Sequence, residues 1–261
     1  MGCFCSKSTD SRTSRIGRWN ATGIVALRDS KLKVLPDEVL EVNNNVRTID
    51  LTNNNISVLP PDISKFVQLQ RLVLANNVLQ RLPNTLPSLR SLKILTLDGN
   101  KINTLPDEVG SLSKLEQLSV SGNLLTCLPD TIGKLHNLSL LNVSSNKLKS
   151  LPASIGSCTA LEELQANDNN IEELPASLCN LNHLKSLVLN NNRVNQLPQN
   201  LLKDCKSLQN IALHCNPITV DQFQQMTAFV EFEERRKKKY DKQINSNVLM
   251  NSKGLDEGID L

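Results

Sequence analysis

The feature that most constrains this chain is a repeat of 23 residues. Asparagine recurs at that spacing seven times, and once more after 24 residues, within the frame Leu-x-x-Leu-x-Leu-x-x-Asn-x-Leu-x-x-Leu-Pro. A unit this short cannot bury its own apolar side chains and must stack on its neighbours, so the repeat predicts a solenoid. The asparagines of this ladder are Asn54, Asn77, Asn100, Asn123, Asn146, Asn169, Asn192 and Asn216.

Each coil of the solenoid is expected to contain one short strand. The alternating Leu-x-Leu directs leucines to one face and the intervening residues to the other, and strands of successive coils then pair in parallel. The asparagine side chain is expected to bond backbone groups of the turn that leaves the strand, which would otherwise be buried without partners. Because the proline of Leu-Pro disfavours regular helix just before it, the return segment is expected to be short helical or extended. The fold class expected is α/β, a right-handed solenoid with a parallel concave sheet and a C-terminal capping helix.

The chain divides into four segments. Residues 1–18 are polar and basic, and we expect them to be disordered. Residues 19–220 hold about nine coils, of which the two outermost are atypical because terminal coils face water. We expect residues 221–243 to form a capping helix and the polar residues 244–261 to form a flexible tail.

Both ends of the array carry residues suited to covering its core. Trp19, the only tryptophan, precedes the first coil and is expected to cover it. Thr219 and Gln222 fit a capping box at the start of the C-terminal helix. The residues expected to shield the last coil from that helix are Phe223, Met226 and Val230, at helical spacing.

Composition and charge limit the class of protein. Aromatic residues make up only 3% of the chain, so Leu, Ile and Val must build the core. The net charge of +3 is matched by residues 1–18 alone, while seven basic and seven acidic residues cancel in 231–261. The repeat body is therefore neutral, which argues against a nucleic-acid groove, because such a groove needs a basic stripe. Seven cysteines without a Cys-x-x-Cys pair, and no apolar signal segment, favour the reduced cytosol.

The N-terminus predicts lipid attachment. Residues 1–7, Met-Gly-Cys-Phe-Cys-Ser-Lys, match the signal in which Gly2 is N-myristoylated after removal of Met1. One myristoyl chain binds a membrane only weakly, so Cys3 and Cys5 are predicted S-palmitoylation sites that supply a second attachment. Arginines at positions 12, 15 and 18 add attraction to anionic lipid. We therefore expect the protein at the cytoplasmic face of a membrane, the plasma membrane first, with a cytosolic pool.

The basic run at residues 235–239, Arg-Arg-Lys-Lys-Lys, admits two interpretations. It resembles a nuclear import signal or a further lipid contact. Acidic residues precede it at i,i+4 spacing, however, in the pairs Glu231–Arg235, Glu233–Lys237 and Glu234–Lys238. The interpretation as a solvated, charge-paired helix end is favoured.

No constellation for catalysis is visible in the sequence. His136, His183 and His214 lie in different coils without ligand spacing, and no phosphate loop, nucleophile elbow or zinc-helix motif occurs. We therefore expect a non-enzymatic protein that has no cofactor, metal or small-molecule substrate.

The concave face remains as a surface for protein partners. The outward strand positions are mostly small or polar, with Ile94, Leu140 and Val188 as apolar exceptions that favour a contact patch. Acidic residues of the coil around Asn169 suggest a basic partner segment, although scattered surface polarity would look the same. The predicted partner-binding residues are Asp50, Arg71, Val73, Ile94, Asp98, Leu140, Asn142, Glu163, Gln165, Asn167, Val188 and Asn190.

The repeats resemble cytosolic leucine-rich repeats of the Ras-group type. The resemblance rests on the Leu-Pro endings and on convex segments such as residues 128–133, Leu-Pro-Asp-Thr-Ile-Gly. With the N-terminal Met-Gly, residues 22–27 and 46–51 are similar to the family of leucine-rich repeat-containing protein 57 and to the plant intracellular Ras-group-related proteins. The resemblance implies a scaffold or adaptor in intracellular signalling, with a small GTPase or a signalling enzyme among its expected partners. The alternative is a regulatory subunit that docks onto an enzyme such as a phosphatase or small GTPase.

Overall fold

A computed structural model describes residues 11–247 as a stack of coils with nine parallel strands in one sheet, ordered as in the chain. The register is constant, so the central residue of each strand pairs with the central residue of the next, as in Leu72, Leu95 and Leu118. The predicted parallel-sheet solenoid is confirmed. The strands are β1 Ile24–Ala26, β2 Thr48–Asp50, β3 Arg71–Val73, β4 Ile94–Thr96, β5 Gln117–Ser119, β6 Leu140–Asn142, β7 Glu163–Gln165, β8 Ser186–Val188 and β9 Asn210–Ala212.

The return segments are single turns on the convex side. Most are 3₁₀ helices that follow the proline of Leu-Pro, which holds an extended conformation such as φ −69° and ψ 146° at Pro129. Two coils use a turn of α-helix instead, α2 (Asp37–Leu40) and α3 (Leu201–Asp204). The 3₁₀ helices are Pro61–Lys65, Leu86–Ser88, Asp107–Ser111, Asp130–Lys134, Ala153–Ser157 and Ala176–Asn180.

Asn123 illustrates how a ladder asparagine joins two coils. The side-chain amide of Asn123 donates to the carbonyl oxygen of Leu97 in the preceding coil and to that of Val120 in its own, both at 3.0 Å. Its Oδ1 accepts from the backbone N–H of Ile102 in the preceding coil, also at 3.0 Å. Asn123 is buried, so each bond satisfies a group that water does not reach.

A second regularity precedes the ladder. The residue before each ladder asparagine, and before Ser30 in the equivalent position of the first coil, has a left-handed backbone, with φ between 53° and 64°. Asn, Asp and Gly tolerate this region best, and they fill the column in seven of nine coils. The column consists of Asp29, Asn53, Asn76, Gly99, Gly122, Ser145, Asp168, Asn191 and Cys215.

Glycines bring neighbouring convex turns together. A Cβ built on Gly110, Gly133 or Gly156 would lie 2.3–2.5 Å from a backbone oxygen of the next coil. No side chain fits at that distance, so these three positions set a close spacing between four consecutive 3₁₀ helices.

The N-terminal segment contradicts the predicted disorder. Residues Arg12–Thr22 form a helix, α1, with Ser11 as N-cap and Gly23 as a left-handed C-cap. Polarity suggested disorder, but tertiary contacts hold this helix: Trp19 is buried in the common core, as predicted, and Arg15 pairs with Glu38 at 2.8 Å. The prediction is therefore wrong from residue 12 onward, and residues 1–10 lie outside the described part.

The C-terminal cap consists of two helices where one was predicted. The capping box of Thr219 and Gln222 is confirmed and opens α4 (Val220–Gln224). The chain then turns at Ala228, whose φ is 65°, before α5 (Phe229–Asn247). The predicted boundary at residue 243 is therefore wrong, since α5 continues four residues further, and the rest of the predicted tail lies outside the described part.

The break at Ala228 changes which side chains cover the last coil. Phe223 is buried as predicted, but Val230 is exposed, and Phe232 takes its place. The rings of Phe223 and Phe232 meet edge to face at 5.9 Å between centroids. Arg235, which was expected to pair with Glu231, instead donates from its guanidinium to backbone oxygens of the last return segment, including that of Leu202 at 2.8 Å.

We predict that Asn123→Ala destabilises the protein by roughly 2–4 kcal/mol, because it leaves buried backbone groups of two coils without partners. Urea denaturation followed by circular dichroism measures this loss. Asn195→Ala is the matched control, since Asn195 is exposed, and its stability should equal that of the wild type. Equal stability of both variants would contradict the assigned role of the ladder.

Candidate functional site

The concave face is built from three outward positions in each coil. They are the first and third residues of each strand and the residue two positions after the strand, as in Ile94, Thr96 and Asp98. Paired strands lie about 4.8 Å apart, so equivalent positions form columns across the sheet.

The predicted contact residues differ in exposure. Arg71 is exposed, while Ile94, Leu140 and Val188 are half-buried. Ile94 and Leu140 flank Gln117 in one column, because β4 and β6 both pair with β5. The apolar positions are therefore separated by polar ones, and they do not form a single hydrophobic patch.

Two predicted contact residues are buried, so this part of the prediction is wrong. Asp50 is 5% exposed and Val73 is 7% exposed. The Asp50 carboxylate accepts from Nε of Arg28 at 2.8 Å and from the Thr52 hydroxyl at 2.6 Å. Val73 lies next to Asp50 in register, with Thr96 on its other side. Neighbouring side chains therefore close over both positions.

The environment of Asp50 shifts its pKa. Burial alone would raise it, but the hydrogen bonds from Arg28 and Thr52, together with the Arg28 charge, outweigh burial and hold the pKa of Asp50 below its ordinary value. The carboxylate is therefore ionised at neutral pH and ties the first two coils together.

Several polar concave residues are used within the protein. Oδ1 of Asp98 accepts from the backbone N–H of Ser121 at 2.8 Å, Oδ1 of Asn167 from that of Asn190 at 2.8 Å, and Oδ1 of Asn190 from that of His214 at 2.8 Å. Each side chain thus fixes the next coil, and a partner meets an already ordered surface. Sequence analysis missed this second ladder, although its signal was Asp or Asn recurring two residues before the asparagine ladder.

Asn142 and the Glu163–Gln165 pair are also engaged locally. Oδ1 of Asn142 accepts from the backbone N–H of Ser144 at 3.0 Å. The amide of Gln165 donates to the Glu163 carboxylate at 2.6 Å. Both groups remain half-buried on the concave face, so they keep polar surface for a partner.

The acidic coil does not present one acidic surface. Glu162 pairs with Lys185 at 2.7 Å, and Asp168 accepts from the amide of Asn191 at 2.7 Å. Glu172 lies on the flank of the coil, 3.6 Å from Arg193. These carboxylates therefore point to different sides of the array, and only Glu163 belongs to the concave face.

The His, Cys, Asp and Glu side chains of the described residues form no metal-binding cluster. Between residues 11 and 247, no group of three His, Cys, Asp or Glu side chains is placed to hold a metal ion. Burial raises the pKa of the Cys158 thiol to about 11. Burial, and to a smaller extent the electrostatic effect of Cys179, raises the pKa of the Cys205 thiol to about 12. Both thiols are therefore neutral at physiological pH.

One cavity of about 280 Å³ lies on the flank between the last two Leu-Pro turns. It is lined by Glu173, Leu174, Ala176, Gln196, Leu197, Pro198 and Gln199. Its lining mixes carboxylate, amide and aliphatic groups, and it does not open onto the concave columns.

The predicted lipidation sites Gly2, Cys3 and Cys5 lie outside the described residues. Arg15, predicted to contact anionic lipid, is instead paired with Glu38, and Arg12 with Glu41. Among residues 11–247, no helix has the length and apolarity to cross a bilayer.

Known proteins share this architecture. Models described as leucine-rich repeat region and leucine rich repeat match residues 84–168 and 24–79. The chain is 75% identical, over the full length of both, to plant intracellular Ras-group-related LRR protein 7 of Oryza sativa subsp. japonica. It is 41% identical to protein 8 of that group, also from this rice, over 26% of this chain and 18% of the relative.

A solved structure titled plant peptide hormone receptor RGFR1 in complex with RGF2 aligns with a TM-score of 0.62 and 28% identity. The alignment covers 70% of this chain, which spans 30% of the receptor chain.

We predict that Asp50→Asn lowers the free energy of unfolding by about 1–2 kcal/mol at neutral pH, because it removes a charged acceptor from Arg28 and Thr52. A depressed carboxyl pKa stabilises the fold above the unfolded-state pKa, and this contribution disappears as pH falls through the folded-state pKa. The difference from wild type should therefore shrink as pH falls from about 7 to below about 4. Urea titrations across that range measure it, with exposed Asp62→Asn as control; a pH-independent difference would contradict the assignment.

Proposed function

Because the chain belongs to the plant intracellular Ras-group-related leucine-rich repeat family, we propose that it is a non-enzymatic, membrane-anchored scaffold in intracellular signalling. Its partners are proteins, bound on the concave face. Solenoids of this kind bind along extended concave surfaces, which the stacking of their repeats creates.

The observation that supports this proposal best is that the concave face of the sheet is ordered and accessible. Arg71 and Gln117 are exposed there, and Ile94, Leu140 and Val188 keep half-buried apolar surface. The bonds made by Asp98, Asn167 and Asn190 fix the surrounding backbone before any partner arrives. Binding therefore costs little ordering of the protein itself.

The structural relative gives independent support for protein recognition. RGFR1, a peptide hormone receptor, was solved in complex with RGF2, and its repeats align with most of this array. An array of this type can therefore serve as a recognition surface, although the partner of this chain is expected inside the cell.

Membrane anchoring is supported by the N-terminal signal. Gly2 and the serine at position 6 match the myristoylation pattern, and Cys3 and Cys5 supply the second attachment that stable residence needs. Nine residues of sequence separate Gly2 from Arg12, the first residue of α1. The coils would then be held close to the cytoplasmic face of the membrane, the plasma membrane in the first instance.

We predict that Ile94→Arg/Leu140→Arg removes partners from the concave face. Proximity labelling in cells compares this variant with wild type and with Val67→Arg, an exposed position on the other side of the coil. Partners shared by wild type and the control should fall several-fold in the concave variant, while thermal unfolding stays unchanged. An unaltered partner set would contradict the concave site. If a purified partner enzyme changes its activity when the protein binds, the regulatory-subunit alternative is preferred.

We predict that Gly2→Ala moves the protein from the membrane fraction to the cytosol, since both proposed lipid attachments depend on acylation of Gly2. Fractionation and imaging measure the change, and the membrane-bound share should fall several-fold. Gly17→Ala is the matched control, because a Cβ at Gly17 meets no atom within 4 Å. Unchanged membrane association of Gly2→Ala would contradict the lipid anchor.

A further inference from the structure

One flank of the array carries basic, uncharged polar and apolar side chains, and no acidic ones. We define the basic flank as the residues one, three and four positions after the ladder position in the first six coils. That position is Ser30 in the first coil and a ladder asparagine in the next five. Of these eighteen positions, six are Lys or Arg and none is Asp or Glu. The basic residues are Lys31, Lys33, Arg81, Lys101, Lys147 and Lys149, and all six are exposed.

Apolar side chains lie between these charges. Val34 is 66% exposed, Val58 is 60% exposed and Leu124 is 41% exposed. They account for three of the seven large hydrophobic side chains exposed in the described part of the chain. Val34, Val58 and Arg81 occupy equivalent positions in consecutive coils, so charge and apolar surface meet directly.

The basic flank is a rigid, continuous strip. Backbone hydrogen bonds of 2.7–3.0 Å join consecutive coils along it, such as Asn55 N–H to Leu32 O and Lys101 N–H to Leu79 O. Six coils at the usual strand spacing extend over about 24 Å. Its six cations form none of the ion pairs found among the described residues.

The convex turns carry the opposite charge. The convex turns of the first five coils hold Asp37, Glu38, Asp62, Asp107, Glu108 and Asp130 against two lysines. The flank itself changes sign in the seventh coil, at Glu172 and Glu173. An anionic surface is therefore attracted to the flank of the first six coils and repelled by the convex turns beside it.

We propose that the basic flank lies on the anionic lipid surface of the membrane. The proposal rests on the proposed membrane anchor, which holds this end of the array near the bilayer. Lysines near such a surface each gain about 1 kcal/mol, and exposed Val and Leu side chains insert at the boundary of head groups and acyl chains. Nucleic acid would favour lysines too, but would not favour the valines between them. Because the flank begins where the strand has ended, the concave face stays open to partners.

The test uses the full chain made in bacteria, without acylation, and vesicles of phosphatidylcholine with roughly one-third phosphatidylserine. We expect Lys31→Gln/Lys33→Gln to lower the partition coefficient roughly thirtyfold. Lys114→Gln/Lys134→Gln removes two exposed lysines outside the flank and should leave it within about twofold of wild type. Equal binding by both variants would overturn the proposal.

The apolar contribution is tested in the same assay. Val34→Ser/Val58→Ser should weaken vesicle binding several-fold, whereas Val67→Ser, which changes a valine 47% exposed outside the flank, should not. If duplex DNA or polyglutamate binds through the same lysines more tightly than the vesicles do, the membrane assignment is overturned.

Failure of this proposal is distinguishable from failure of the lipid anchor. If Gly2→Ala releases the protein from cell membranes while the flank variants bind vesicles as the wild type does, the anchor stands and the flank proposal falls. If the flank variants lose vesicle binding while Gly2→Ala stays at the membrane, the flank proposal stands and the anchor falls.

Discussion

The hydrogen bonds between a ladder asparagine and the preceding coil determine what else this protein can be. A coil's turn buries backbone groups that its own residues cannot all satisfy, and the next coil supplies the missing partner, as Asn123 does for Leu97 and Ile102. No coil is therefore complete alone, and stability is shared between neighbours. At the ends this supply stops, which is why Trp19 and the pair Phe223 and Phe232 cover the outer coils.

The sequence was sufficient for the repeated part of the fold because every coil reports the same constraint. Period, strand positions, inward leucines and bonded asparagines all follow from one pattern. The ends were harder to predict, since each occurs once. The helix from Arg12 to Thr22 owes its order to contacts with the first coil, and the turn at Ala228 has no Gly or Pro to signal it. Burial of Asp50 depended on Arg28 in another coil, which spacing within one repeat does not reveal.

The distribution of charge over the surface was equally hard to predict from the sequence. The charges of the repeat body sum to about zero, which argued against a surface that binds nucleic acid. The fold sorts the charges by position within the coil, however, so that lysines follow the asparagine ladder and carboxylates follow the Leu-Pro turn. A balanced total thus hides two surfaces of opposite sign. Only alignment of the coils, one above another, brings residues 23 apart onto a common surface.

The three convex glycines have a geometric consequence. The sheet spacing is fixed by backbone hydrogen bonds, so the bend of the array depends on how closely the turns behind it can approach. Gly110, Gly133 and Gly156 permit backbone contact that any Cβ would prevent. A single methyl group there would wedge the rear of two coils apart and tighten the arc in front. The radius of the horseshoe, and hence the width of object that fits inside it, is thus adjustable by residues that never touch a ligand.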